Sequence, residues 1–348
     1  MNIEEMIARI RPLDEQAMAE AAKHADQLTK PPGSLGRLEA VARQAAGITG
    51  EKIPALDRKA VIVMAGDHGV CEEGVSAFPA EVTGLMMMNF LNGGAAVNVF
   101  ARHAGADVVC VDVGVNADVE HPQLVSKKVR RGTANMAQGP AMSREEALQA
   151  IQAGCDIVGG LADEGYRLFA TGEMGIGNTT PSSAILSVLA GTDVAVAVGR
   201  GTGIDDKRWN HKQDVVRRAI AVNSPDASDP LDVLAKVGGL EIAGLVGVIL
   251  GAAARRCPVV IDGFISTAAA LVATRLAPQS AAYMIPSHLS NEQGHAAALE
   301  AIGLAPMIQL DMRLGEGTGA ALCFLLVEAA LKMMREMATF ESAGIPGA

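Results

Sequence analysis

Short runs of β-branched and apolar residues alternate with longer amphipathic stretches along most of the chain. The runs are AVIVMAGDHG (60–69), ADVVCVDVGV (106–115), YRLFATGEMGIG (166–177), PVVIDGFIS (258–266) and AAYMIPSHLS (281–290), and each ends in glycine or polar residues. Nearly continuous apolar character predicts strands buried on both faces. Helical spacing occupies 80–102, 143–163, 181–190, 212–222, 229–253, 265–275 and 291–303. Strands alternating with helices predict βαβ units, and therefore an α/β fold with a mostly parallel sheet covered by helices on both faces. Ligands of such sheets bind beyond the carboxyl ends of the strands. Asp67, His68, Asp112, Glu173, Asp262, Ser287 and His288 are therefore expected on one rim.

The chain ends read differently. Ile3, Met6, Ile7 and Ile10, then Met18, Ala21, Ala22, Ala25 and Leu28, recur at spacings of three and four over residues 2–28, and Pro12 divides them into two helices. KPPGSLGRLE (30–39) predicts a tight loop, with Ser34 as the N-cap of a helix reaching about Ala46. Residues 317–338 predict a long helix that packs on the N-terminal ones.

Composition narrows the function. The chain has 348 residues, 49% hydrophobic and 20% charged, which excludes a disordered or fibrous protein. A formal net charge of −10 and 3% aromatic residues disfavour nucleic acid as a partner. Cys71, Cys110, Cys155, Cys257 and Cys323 are odd in number and never form C-x-x-C, so reduced thiols are expected rather than disulfides or zinc sites. No apolar run reaches the ~18 residues of a membrane span, and MNIEEMIARIRPLDE has no apolar signal core. A cytoplasmic protein without a membrane partner is expected.

Several motifs carry candidate chemistry. In GEMGIGNTTPSSA (172–184) three glycines precede a helix start, a pattern that either holds a phosphate on backbone N–H groups or simply turns the chain. It lacks the Lys-Ser/Thr of a P-loop. GRGTGIDDKRWNHK (199–212) is a second glycine cluster; Arg200, Lys207, Arg208 and Lys212 make it a solvated basic loop or an anion site. In LGEGTGAAL (314–322), Glu316 stands between two glycines at a helix start. It reads as a partner of the helix dipole or as a general base that a planar substrate can approach closely. SHLSNEQGH (287–295) has no metalloenzyme spacing, and Ser290 with Asn291 reads better as a helix cap. The DHG of 67–69 reads as a buried hydrogen-bonded pair, and Met86–Met88 with Phe90 as the core face of a helix. No metal and no cofactor is expected.

Taken together, KPPGSLGRLE, DHGV (67–70), GGAAVNV (93–99), GEMGIGNTTP (172–181), DVVRRAI (214–220), KVGG (236–239), DGFIS (262–266), IPSHLS (285–290) and MRLGEGTGAAL (312–322) closely resemble the nicotinate-nucleotide:dimethylbenzimidazole phosphoribosyltransferase family. The resemblance implies a Rossmann-like catalytic domain over 51–322, a small helical domain from 1–50 and 323–348, and a homodimer. It implies transfer of phosphoribose from nicotinate mononucleotide to an azole base, 5,6-dimethylbenzimidazole, in building the lower ligand of cobalamin. By the same resemblance Glu316 is the general base, and Glu173 supports the ribose or base site. Phosphate contacts fall on Gly175, Ile176, Gly201, Lys212 and Ser290. Further substrate contacts fall on Met174, Asn178, Thr179, Gly263, Leu314 and Gly315. The wall of the base pocket falls on Phe78 and Met86, which leaves other benzimidazoles, purines and phenols open as acceptors. A non-catalytic nucleotide-binding protein on the same fold is the alternative from another class.

Overall fold

A computed structural model describes residues 3–201 and 203–346, so residue 2 of the N-terminal helical stretch lies outside the described residues. Helices α1 (Ile3–Ile7), α2 (Glu15–Gln27) and α3 (Arg37–Thr49) precede strand β1 (Lys59–Gly66). Helices α4 (Val82–Leu91) and α5 (Ala96–His103) lead to β2 (Asp107–Gly114) and the short β3 (Val125–Ser126). Helix α6 (Arg144–Asp163) leads to β4 (Leu168–Met174). Then come α7 (Thr179–Ala190), α8 (Val194–Ala197), α9 (Asp206–Asn223), α10 (Pro230–Val237) and α11 (Leu240–Ala254). Strand β5 (Val259–Ile261), α12 (Phe264–Leu276), β6 (Met284–Pro286) and β7 (His288–Leu289) follow. The chain ends with α13 (His295–Ile302), β8 (Ile308–Gln309), α14 (Thr318–Glu336) and α15 (Phe340–Ala343).

The main sheet has the order β3-β2-β1-β4-β5-β6, and every pairing is parallel. This is the order of doubly wound nucleotide-binding sheets, whose direction of growth reverses between β1 and β4. Strand β1 shows why its sequence reads as one unbroken apolar run. Ala60, Ile62 and Met64 face a core shared with α6, α11 and α12, while Val61, Val63 and Ala65 face a second core with α2, α3, α5 and α14. Both faces are dry, so neither set of alternating positions can be polar. The chain ends meet on the second face, where Leu28 pairs with Thr339 beside α14.

Glycines redraw several expected boundaries. The stretch 80–102 is two helices, because Gly93 (φ +75°) turns the chain between α4 and α5. The stretch 229–253 breaks at Gly238 and Gly239 into α10 and α11. Ser34 does not cap α3; the turn runs on through Gly36, and the Glu39 carboxylate accepts from the Leu35 N–H at 2.9 Å. Helix α13 starts only at His295, so Ser290 and Asn291 cap no helix. The run 281–290 is split between the main sheet and the small β7–β8 sheet. Helix α9 starts at Asp206, six residues before the expected position, with Asp205 as its N-cap.

Helices α6 and α11 approach closely through paired glycines. A Cβ on Gly247 would lie 1.9 Å from the Ile151 carbonyl oxygen, and one on Gly154 would lie 2.0 Å from the Gly244 oxygen. Backbone cannot yield to such contacts as a side-chain tip can. Gly247→Ala is therefore expected to lower stability by ~1–3 kcal/mol in urea unfolding, although Gly→Ala inside a helix normally stabilises. Gly160 on α6 has open space around its Cβ position. Gly160→Ala is the control and should gain ~0.5–1 kcal/mol; equal effects of the two substitutions would contradict this account.

Candidate active site

The carboxyl ends of β4, β5 and β6, together with the loop before α14, enclose a cavity of about 450 Å³. That is ample for a small-molecule ligand. Val75, Phe78, Val82, Met86, Met174, Ile176, Ile265 and Leu314 make much of it apolar. Glu173, Asp262, Glu292, Glu316, His288, Ser290 and Arg313 supply its strongly polar groups, and Gly175, Gly177, Gly201, Gly263 and Gly315 bring backbone to its surface.

Glu316 is held by an unusual backbone. Gly315, Glu316 and Gly317 all have positive φ, at +89°, +65° and +100°. Only glycine adopts this region freely, so the two neighbours relieve strain that would otherwise accumulate at the glutamate. The Glu316 N–H donates to Glu173 Oε1 at 3.3 Å. The N–H groups of Gly317 and Ala320 donate to the two carboxylate oxygens of Asp262 at 3.2 and 2.9 Å. A Cβ on Gly172 would lie 2.4 Å from the Glu316 carbonyl oxygen, so the loop rests directly on β4. The Glu316 carboxylate in turn accepts from the Val97 N–H at 3.2 Å. Val97 lies in the first turn of α5, and the Gly93 break is what points that helix start at the cavity. Burial pushes the Glu316 carboxyl above its ordinary range, the Val97 N–H opposes this, and the Asp262 charge adds to it.

The other acids share that environment. Glu173 is fully enclosed, and burial pushes it up to about 8, against the hydrogen bond donated by the Asn178 amide. Asp262 is raised by burial, although His288 beside it and three backbone N–H groups favour its charged form. Glu292 is raised by burial, opposed by Lys212 and Arg313. Lys212 is driven down to about 8 by burial. Its Nζ donates to Thr179 Oγ1 at 2.6 Å.

Of the expected site residues, Glu316, Glu173, Phe78, Met86, Met174, Gly175, Ile176, Asn178, Thr179, Gly201, Gly263, Ser290, Leu314 and Gly315 all line this cavity. Lys212 lies one layer behind, under Thr179 and Gly201. Met86 lines the cavity, whereas Met87 and Phe90 of its segment are fully buried in the core, against which Met86 and Met88 pack only in part. The Ile176 N–H is not open to a phosphate, because Thr83 Oγ1 accepts it at 3.1 Å. Ser290 is oriented by His295, whose Nδ1 accepts the Ser290 N–H at 2.8 Å while Nε2–H donates to Thr267 Oγ1 at 2.9 Å. Burial drives His295 down to about 3, so it stays neutral. Among the described residues, no group of three His, Cys, Asp or Glu side chains is arranged to hold a metal.

The expected polar residues all stand at or near the carboxyl ends of the parallel strands, on one rim, but of them only Glu173, Asp262 and His288 line the cavity. Asp67 accepts from the Asn116 N–H at 2.7 Å. Asp112 accepts from Gly114 and Val115 and pairs with Lys128 at 3.1 Å. Ser287 donates to the Asp262 carbonyl. His68 pairs not with Asp67 but with Glu241, in the first turn of α11, at 2.7 Å. That pair is wedged between Gly175 and Gly239, at the point where strand order reverses. The cavity lies to the β4–β6 side of it. Arg313 and Glu292 were not singled out from the sequence as ligand contacts, although Arg313 stands inside the MRLGEG motif.

Residues 10–345 match the sequence model of a family described as Phosphoribosyltransferase. The chain belongs to this phosphoribosyltransferase family. A relative from Chloroflexus aggregans, named nicotinate-nucleotide–dimethylbenzimidazole phosphoribosyltransferase, is 58% identical over 97% of this chain and 96% of its own length. A relative of the same name from Desulforudis audaxviator is also 58% identical, with the same coverage. The crystal structure of CobT from Thermus thermophilus superposes with a TM-score of 0.92 at 47% identity, covering 96% of this chain and all (100%) of that one. Phosphoribosyl transfer sets the requirements for the cavity: a seat for a phosphate, room on both sides of a ribose carbon, and a group to take a proton.

The buried acids predict a pH signature. The folded-state pKa of Glu173 lies above its unfolded value, so the native state binds a proton that the unfolded chain has lost. Stability from this group is fully present below about pH 4.5 and declines as pH rises toward 8. Wild-type Tm should therefore fall between about pH 5.5 and 8.5, and Glu173→Gln should flatten that fall by an amount on the order of a few kcal/mol in stability. An unchanged slope in the variant would remove Glu173 as the source.

Proposed function

We propose that this protein transfers the phosphoribosyl group of nicotinate mononucleotide to 5,6-dimethylbenzimidazole, giving α-ribazole 5′-phosphate and nicotinate for the lower ligand of cobalamin. The observation that carries this reading is the Glu316 carboxylate. It is buried, raised toward proton affinity, and flanked by glycines in a cavity with an apolar wall.

The chemistry accounts for that arrangement. Nicotinate leaves from a pyridinium, so departure of the ring removes its positive charge without an acid. One nitrogen of the neutral benzimidazole attacks the anomeric carbon, and the ring becomes cationic unless its other N–H is deprotonated. Glu316 takes that proton; a carboxyl raised by burial is a stronger base than one in water. Displacement from the face opposite the leaving ring converts the β-linkage to an α-linkage in one step. The protein's main task is to hold two flat rings on opposite sides of one carbon. Val75, Phe78, Val82 and Met86 offer an apolar wall suited to a methylated aromatic base. Thr179, Gly201 and Lys212 form the corner suited to phosphate. Glu173 bonds the Glu316 backbone and acts as a positioning residue for the base.

A homodimer is part of the reading. Phe78 and Leu314, at the cavity mouth, are 54% and 60% exposed, which favours a covering subunit. A cytoplasmic location is supported by five unpaired cysteines. No helix among the described residues is long and apolar enough to cross a membrane.

The test is direct. Incubation with nicotinate mononucleotide and dimethylbenzimidazole should release nicotinate and form the α-nucleotide, with adenine and phenols as competing acceptors. No release would end the reading. Glu316→Gln should keep the fold and nucleotide binding and lower kcat by ~10²–10⁴; near-normal turnover would rule out its role as base.

A further inference from the structure

Charge around the cavity is lopsided. Glu173, Asp262, Glu292 and Glu316 line it, and among the described residues Arg313 is its one lining lysine or arginine. Arg313 lies three residues before Glu316, on the loop whose backbone turns through the left-handed region. Its side chain is exposed, and its one hydrogen bond among the described residues is long, from Nη1 to the Gly201 carbonyl at 3.5 Å. Gly201 also adjoins the buried cation, since its Cβ position lies 3.2 Å from Lys212 Nζ and 2.9 Å from Thr179 Oγ1. Two cations from different elements therefore flank one glycine corner. Glu292 faces both of them; its Oε2 is buried and has no hydrogen-bond partner. Lys212 and Arg313 thus bring two positive charges to one corner of an otherwise acidic cavity, and such a corner suits an oxyanion.

We propose that Arg313 binds the 5′-phosphate of the donor nucleotide, from the same loop that carries Glu316. This rests on the phosphoribosyl-transfer reading and adds a substrate-binding residue to it. The guanidinium cannot deprotonate, so it stays cationic at any working pH. Lys212 is weakened by its burial, and a second, permanent charge compensates a phosphate that must enter past four acids. A phosphate held there would bridge Arg313 and the Gly201 corner, which among the described residues share one long hydrogen bond.

The experiment compares wild type, Arg313→Gln and Arg313→Lys with three donors: nicotinate mononucleotide, nicotinate riboside, which lacks the phosphate, and nicotinamide mononucleotide, which lacks the ring carboxylate. Arg313→Gln should lower kcat/KM for both mononucleotides about 10–100-fold, with kcat falling as well as KM rising. It should change kcat/KM for the riboside by less than about threefold, and lysine should restore part of the loss. Binding of α-ribazole 5′-phosphate and of α-ribazole, measured by calorimetry, should show the same selectivity. Equal losses with and without phosphate would overturn the proposal and leave Arg313 a structural residue. Sparing of nicotinamide mononucleotide would overturn it in favour of a contact to the ring carboxylate. Failure of wild type to use nicotinate mononucleotide would instead refute the underlying activity.

Discussion

The site depends on keeping one carboxylate in a backbone conformation that its residue type disfavours. A non-glycine residue in the left-handed region carries a cost of about 1–3 kcal/mol and persists only where its surroundings over-determine it. At Glu316 they do so from three directions. Asp262 accepts from the backbone beyond it, Glu173 accepts its own N–H, and β4 presents Gly172 so closely that no side chain fits between them. The carboxylate that results points at the start of α5. None of these groups is near Glu316 in sequence; the parallel sheet brings them together by ending its strands on one side.

The same crowding makes the pocket acidic and poorly hydrated. Four carboxyl groups share its wall, and each is pushed toward its neutral form chiefly by burial. Such a site disfavours bare anions and favours ligands that are cationic where they meet it, as a pyridinium or a developing ribosyl cation would be. The phosphate of the same ligand needs a corner of its own. Under the proposed reading Lys212, Thr179 and Gly201 would provide it, in a corner set by helix α9 rather than by the sheet.

Much of this was legible in the sequence. The apolar runs gave the sheet strands because a strand covered on both faces cannot alternate, and the polar residues closing β4 and β5 marked the cavity. What could not be read was phase and depth. Met86, Met87 and Met88 look alike in sequence, and only the turn of α4 assigns the first to the cavity and the second to the core. Lys212 reads as part of a solvated basic loop or an anion site, and its depth is not legible there: α9 begins early enough to bury it. The glycine pairs at 93–94 and 238–239 read as parts of long helices, whereas they are the joints that aim α5 and α11. The polar ends of β1 and β2 are expected at the ligand, but the backbone after β2 occupies both carboxylates, Val115 N–H on Asp112 and Asn116 N–H on Asp67.

One of those joints has a wider consequence. In doubly wound sheets the crevice where strand order reverses, beside a helix start, is the usual berth of a pyrophosphate. Here the Glu241 carboxylate at the start of α11, locked to His68, already fills it. The crevice is therefore closed by the protein's own side chains. What remains open at the strand ends is the cavity beside β4 and β5.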